Sequence, residues 1–387
     1  MKLLKIRITW LRAASFVIAG SVLLLVGGLL FAWSGIYNLA ASAGHFVITE
    51  RFLRFALHGS VRTHTLSIEA PPLVSPDQII LGAAHYAGGC APCHGAPGTP
   101  LNRITAAMLP PPTDLSTILD EWAPEQLYWI VRHGIKYTGM PAWPAQLRED
   151  EVWAVIAFLE ELPRLDAESY SALARLPLAG NSAAAPDGLA VFSEALTVCA
   201  RCHGDADTPP SSRLAPRLSG QKAAYLKRAL REYAVGSRFS GMMQPVAAEL
   251  DAGEIDRLGD YYAGLAQPEA PTPAPDLGPV IVARGRAIAT AGIPESGIPA
   301  CLACHGAGSA DVFPALTGQH APYVVAQLEA FRDGRRGRTA TAAIMSTIAA
   351  RLGDDEIAAV AAYFASIATG RIGDAAGAGQ SAAGVVQ

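Results

Sequence analysis

The six cysteines of the chain fall as three pairs, Cys90 and Cys93, Cys199 and Cys202, Cys301 and Cys304. Each pair is spaced C-x-x-C and is followed at once by a histidine, so the runs read CAPCH, CARCH and CLACH and no cysteine is left over. C-x-x-C-H is the attachment signature of c-type haem, in which two thiols form thioethers to the haem vinyls and the imidazole binds iron. The competing uses of C-x-x-C fit poorly. Zinc needs four ligands from paired halves, and a redox dithiol belongs in a βαβ pattern that this sequence lacks. The spacing predicts three covalently bound haem c groups, with His94, His203 and His305 as the proximal iron ligands.

A chain of 387 residues is too long for one core and predicts several domains. Hydrophobic residues make up 51%, too many for a disordered chain, while 37 Gly and 28 Pro interrupt it too often for a coiled coil. Two stretches read as linkers, Asp166 to Asp187 and QPEAPTPAP from Gln267. They divide the soluble part into units at residues 76–165, 181–268 and 277–370, each with one C-x-x-C-H near its start. The Gly/Ala tail from Ile372 reads as disordered.

Internal repetition supports the division. The second unit reads PRLSGQKAAYLKRALREYAVGSR and the third PALTGQHAPYVVAQLEAFRDGRR, which matches Pro216 with Pro314, Gln221 with Gln319 and Tyr225 with Tyr323. Further on Met243 matches Met345, Leu250 matches Leu352 and Tyr262 matches Phe364. The first unit is a looser relative. It keeps Gly82 and Tyr86 four residues apart ahead of Cys90, on one face of a helix entering the haem site. Apolar spacings such as Ile255, Leu258 and Tyr262 are helical and no long alternating run occurs, so the fold class is all-α.

The sixth iron position decides between electron transfer and chemistry on a bound molecule. Met140 lies in TGMPAWP, a Gly/Pro-bounded loop far enough past Cys90 to wrap over a haem, and is the candidate in the first unit, with Met108 assigned to packing. In the third unit the choice lies between Met345 and His320. In the second it lies between Met243 and Met242, with Met243 preferred because it and Met345 stand equally far before the matched leucines. The second unit has no histidine besides His203, which excludes a uniform bis-histidine protein. Pro112, Pro216 and Pro314 lie where a backbone carbonyl can hold the second nitrogen of each proximal imidazole.

Residues 1 to 12 carry Lys2, Lys5, Arg7 and Arg12 with no acid, and Ala13 to Trp33 carry no charge. Such a segment spans about 30 Å as a helix, enough for the hydrocarbon core. The preceding cations place the amino terminus in the cytoplasm and the haem motifs in the periplasm of a bacterium. The competing reading is a signal peptide cleaved after Ala41-Ser42-Ala43; either way the haem motifs are exported. Residues 46 to 59 form either an amphipathic helix on the membrane face or a helix packed on the first unit. The net charge of -4 lacks the basic footprint of a nucleic-acid binder, and the acidic bulk favours a neutral or basic docking partner.

On these residues the chain resembles class I c-type cytochromes. CARCH with GQKAAYL and Met243, and CLACH with GQHAPYV and Met345, resemble the tandem dihaem cytochrome c family. CAPCH with GIKYTGMPAW resembles the single-haem domains of periplasmic dehydrogenases and cbb-type oxidases. The three-haem count is similar to the cytochrome c subunits of membrane-bound periplasmic dehydrogenases. The uncharged run gives an expected N-terminal transmembrane helix (1–36) followed by a membrane-proximal segment (37–75), a long anchor that departs from those subunits, and the resemblance implies three small helical cytochrome c domains. It also implies an electron-transfer protein rather than an enzyme, in the respiratory chain, between a dehydrogenase or quinol-oxidising complex and a terminal oxidase or soluble carrier. The alternative is a haem enzyme, a peroxidase or sulfur-compound oxidoreductase, with one open haem.

Overall fold

The computed structural model describes residues 9–176, 190–266, 278–306 and 308–367. The Gln267 spacer, residues 177–187 of the other linker and the tail from Ile372 lie outside the described residues. Among the described residues every regular element is helical, with no strand and only isolated bridges such as Arg238 with Gly337.

Helix α1 (Trp10–Trp33) is long and apolar enough to cross a membrane, and none of its residues is buried in protein; a signal sequence near the amino terminus has the same properties. Helix α2 (Val47–His64) does two things at once. Its far end packs on the first unit, where Val61 is fully buried and His58 stacks on Trp122 at 4.5 Å between ring centres. Its near end leaves Ile48, Phe52 and Phe55, one helical stripe, exposed, Phe55 at 77%.

The first unit is built from α3 (Pro76–Gly89), α4 (Pro124–His133), α5 (Glu149–Glu161) and α6 (Ala167–Leu173). Pro76 opens α3, where the missing N–H costs nothing. Helices α3 and α5 cross backbone to backbone: a side chain at Gly82 would run into the Ala154 carbonyl and the Phe158 Cβ. Around that crossing Tyr86, Phe158 and Tyr170 cluster, and Tyr128 stacks on Trp153 at 4.2 Å. Tyr170 belongs to α6, so the Ala/Ser-rich stretch after Asp166 begins as a helix of this core, not as a spacer. Asp166 starts it by accepting a hydrogen bond from the Ser169 N–H at 2.8 Å.

Helices α7 (Ala190–His203), α8 (Ala223–Ala234), α9 (Met243–Ala248) and α10 (Ala252–Gly264) follow. The chain then continues through α11 (Pro279–Ala291), α12 (Ala321–Arg332), α13 (Ala340–Ala349) and α14 (Asp354–Ser366). Asp251 and Glu254 close a reciprocal capping box at the start of α10, and Thr339 caps α13. The buried clusters here are small: Leu226, Leu258 and Tyr262 in one, Ile288, Ala289, Val360 and Phe364 in another.

The two repeats face each other through their matched glutamines. Gln221 donates to the Ala315 carbonyl at 3.0 Å and accepts from the Ala315 N–H at 2.8 Å. Gln319 repeats the pair on Arg217, at 3.1 and 3.0 Å. Repeat symmetry in the sequence thus becomes a two-fold exchange of hydrogen bonds in space.

Candidate haem sites

Each C-x-x-C-H run forms a helical turn. Cys90 caps α3 and Ala91–His94 make the next turn; Cys199 to His203 close α7; Leu302–His305 stand alone after the loop that follows α11. Helical spacing sets the first cysteine and the histidine four residues apart on one face. All six cysteines are free of disulfides. Burial raises the Cys90 and Cys199 thiols to about 12 and Cys202 to about 11, so they are protonated at neutral pH.

The three histidines share one hydrogen bond. The Nδ1 of His94 lies 2.8 Å from the Thr113 carbonyl, that of His203 3.0 Å from Pro216 and that of His305 2.9 Å from Pro314. A carbonyl only accepts, so Nδ1 carries the proton and Nε2 keeps the lone pair a metal needs. Burial lowers the pKa of His203 and His305, which favours the neutral imidazole. The prolines expected in the second and third units are the partners found. In the first unit the partner is Thr113, one residue beyond Pro112, because the LPPPTDL segment there does not follow the repeat.

Met140 sits in the loop between α4 and α5. Gly134, at φ +64°, lies against the Met140 carbonyl, which accepts from the Ile135 N–H at 3.3 Å, and the Met140 N–H donates to Thr138 Oγ1 at 3.1 Å. Met108 packs against Gly139 of the same loop. Met345 lies on α13 beside Val324, Leu328 and Leu352. Met243 is the first residue of α9, whereas the Met242 side chain packs against the first unit's core. His133 is exposed beside Trp129, and His320 Nε2 is buried without a partner.

Several further residues bear on these sites. Arg238 and Arg336 are buried, at matched repeat positions, and the Nε of each lacks a partner, as do Nε and Nη1 of Arg217. Arg238 lies over the rings of Tyr225 and Tyr233, and Arg336 over Phe331. Buried guanidinium groups with unpaired nitrogens suit carboxylates, and a haem carries two as propionates, so the donor set fits the group. The repeat alignment held the signal, since both arginines end the matched segments. Tyr86 donates to the Gly95 carbonyl at 2.8 Å, and Tyr262, from the opposite end of its unit, makes the same bond to Gly204 at 2.9 Å. Each fixes the glycine that follows a proximal histidine.

Comparison with known proteins agrees with this chemistry. The family described as cytochrome c oxidase, cbb3-type, subunit III matches residues 77–159, and the cytochrome c family matches residues 282–368. A thiosulfate dehydrogenase electron acceptor of Thiomonas intermedia is 37% identical over 186 residues, 47% of this chain and 84% of that protein. Cytochrome c4 of Pseudomonas aeruginosa is 34% identical over 203 residues, 50% of this chain and 94% of its own. A solved cytochrome c4 of Acidithiobacillus ferrooxidans aligns over 44% of this chain and 98% of its own, at 34% identity and a TM-score of 0.39. The chain belongs to the cytochrome c family.

Proposed function

We propose that the chain is a membrane-anchored periplasmic trihaem cytochrome c. It transfers electrons between a dehydrogenase or quinol-oxidising complex and a terminal oxidase or soluble carrier. The observation that carries this reading is the triple recurrence of one turn, C-x-x-C-H with the histidine Nδ1 on a backbone carbonyl. Bound haem supplies one-electron transfer at iron. The chain supplies the rest. Cys90, Cys93, Cys199, Cys202, Cys301 and Cys304 hold the group, and His94, His203 and His305 present Nε2. Met140, Met243 and Met345 would supply a soft thioether as the second protein ligand, which would raise the potential and exclude substrates. The packing of Met242 against the first unit supports Met243 over Met242.

The relatives named as thiosulfate dehydrogenase electron acceptors make a thiosulfate-oxidising dehydrogenase a donor of the right class. Single replacements test the ligand set: Met140→Ala, Met243→Ala and Met345→Ala each open one haem, so each reduced variant binds one equivalent of carbon monoxide while the parent binds none. A parent that binds carbon monoxide points instead to an enzyme with an open haem.

Helix α1 anchors the chain, and the Ile48, Phe52 and Phe55 stripe of α2 rests on the membrane surface beside it. The full chain is expected to stay with membranes through an alkaline carbonate wash, and a chain starting at Tyr37 to be released by it. Recovery of a soluble native protein beginning after Ala43 would replace the anchor with a cleaved signal.

A further inference from the structure

The first unit meets the second at a charged junction where a fully apolar contact would hold them as well. Glu151, in the first turn of α5, is 5% exposed. Its Oε1 accepts from the Ser240 hydroxyl at 2.6 Å and its Oε2 from the Gly241 N–H at 2.6 Å. Ser240 Oγ in turn accepts from the N–H of Met243 at 3.0 Å and of Met242 at 3.3 Å. The carboxylate thus holds the hydroxyl that accepts from the N–H groups of Met242 and Met243, where α9 begins.

The surroundings commit Glu151 to this geometry. Arg148 lies 3.0 Å from its Oε1, donates to the Phe239 carbonyl at 2.9 Å and is held by Asp150 at 2.7 and 2.9 Å. Asp150 also meets Arg335 of the third unit at 3.2 Å. Trp143, three residues after Met140, packs its indole on Gly241, where a side chain would collide with the ring. The methionine segments of the first two units therefore touch. A buried ion pair is weak evidence for stability, because apolar residues of the same shape serve as well. Two short charge-assisted hydrogen bonds, one from the Ser240 hydroxyl and one from the Gly241 N–H, instead provide orientation.

We propose that Glu151 is a positioning residue for the methionine segment of the second unit, so that the first unit holds the second haem's distal ligand in place. The proposal rests on the reading of Met243 as that ligand. Imidazole, which competes with methionine for ferric haem, probes it in the full-length holoprotein. Met243→Ala first identifies the spectroscopic signal of the second haem. Glu151→Gln, which keeps the shape, and Ser240→Ala, which removes only the relay hydroxyl, are expected to raise imidazole affinity at that haem on the order of tenfold, the consequence of losing one charge-assisted bond. The other two haems keep the parent affinity.

Affinity within twofold of the parent at the second haem in both variants overturns the proposal, as does an equal rise at all three haems, which marks general loosening. A Met243→Ala protein with all three haems unchanged overturns the ligand assignment itself. A normal Met243→Ala result beside unresponsive Glu151→Gln and Ser240→Ala proteins overturns the positioning role alone.

Discussion

A chain in which Cys301 and Cys304 are both alanine is expected to carry two covalent haems instead of three, and to lose the helices of its third unit. The reason lies in how little else that unit buries. Its apolar clusters are Ile298, Val324, Leu328, Leu352, Ile357 and Ala361 on one side and Ile288, Ala289, Val360 and Phe364 on the other. Clusters this small, among the described residues, leave a covalently held prosthetic group to supply much of the unit's apolar packing. The Leu302–His305 turn is four residues long, far below the length at which a helix stands alone. Intact mass gives the haem count, and far-ultraviolet circular dichroism with limited proteolysis gives the folding. Retained helicity with two haems would show that the third unit folds without its group.

The second large effect is steric. Helices α11 and α14 cross at Gly285, where a Cβ would overlap the Ala359 carbonyl and lie 2.8 Å from the Tyr363 Cβ. Neither backbone can retreat without shifting the whole of a thirteen-residue helix. Gly285→Ala is expected to destabilise the third unit by about 3 kcal/mol, and to lower its thermal midpoint by more than about 10 °C. Gly82→Ala has the same effect at the α3–α5 crossing, where the Ala154 carbonyl is the obstacle. Gly264→Ala is the control, since nothing lies within 4 Å of a Cβ there and alanine favours a helix. Melting by calorimetry checks all three; a Gly285→Ala midpoint equal to that of Gly264→Ala would contradict the close crossing.

The chemistry of the haem turns was legible because it is local. Two cysteines and a histidine at fixed spacing define a helical turn with one reactive face, and the Pro216 and Pro314 carbonyls follow from the repeat. In the first unit the acceptor is Thr113, one residue beyond Pro112, because that unit departs from the repeat and any backbone carbonyl can do the work. Helix α6 was hidden in an Ala/Ser-rich stretch because such residues suit a helix as well as a spacer; only the Asp166 cap and the burial of Tyr170 decide between them. Tyr86 and Tyr262 make one hydrogen bond from opposite ends of their units, an equivalence no alignment expresses. Glu151, Arg148 and Trp143 were illegible for a different reason. Their partners lie about ninety residues away on another unit, and hydrophobic periodicity carries no information about which unit docks where.

The measurement that tests the account most directly is a redox titration of the purified full chain, followed optically and by magnetic circular dichroism with and without carbon monoxide. Three haem equivalents, all low-spin with methionine-type spectra and indifferent to carbon monoxide, are the predicted result for a protein that only carries electrons. One high-spin haem that binds carbon monoxide would contradict it, and would mark that unit as a site of chemistry on a bound substrate.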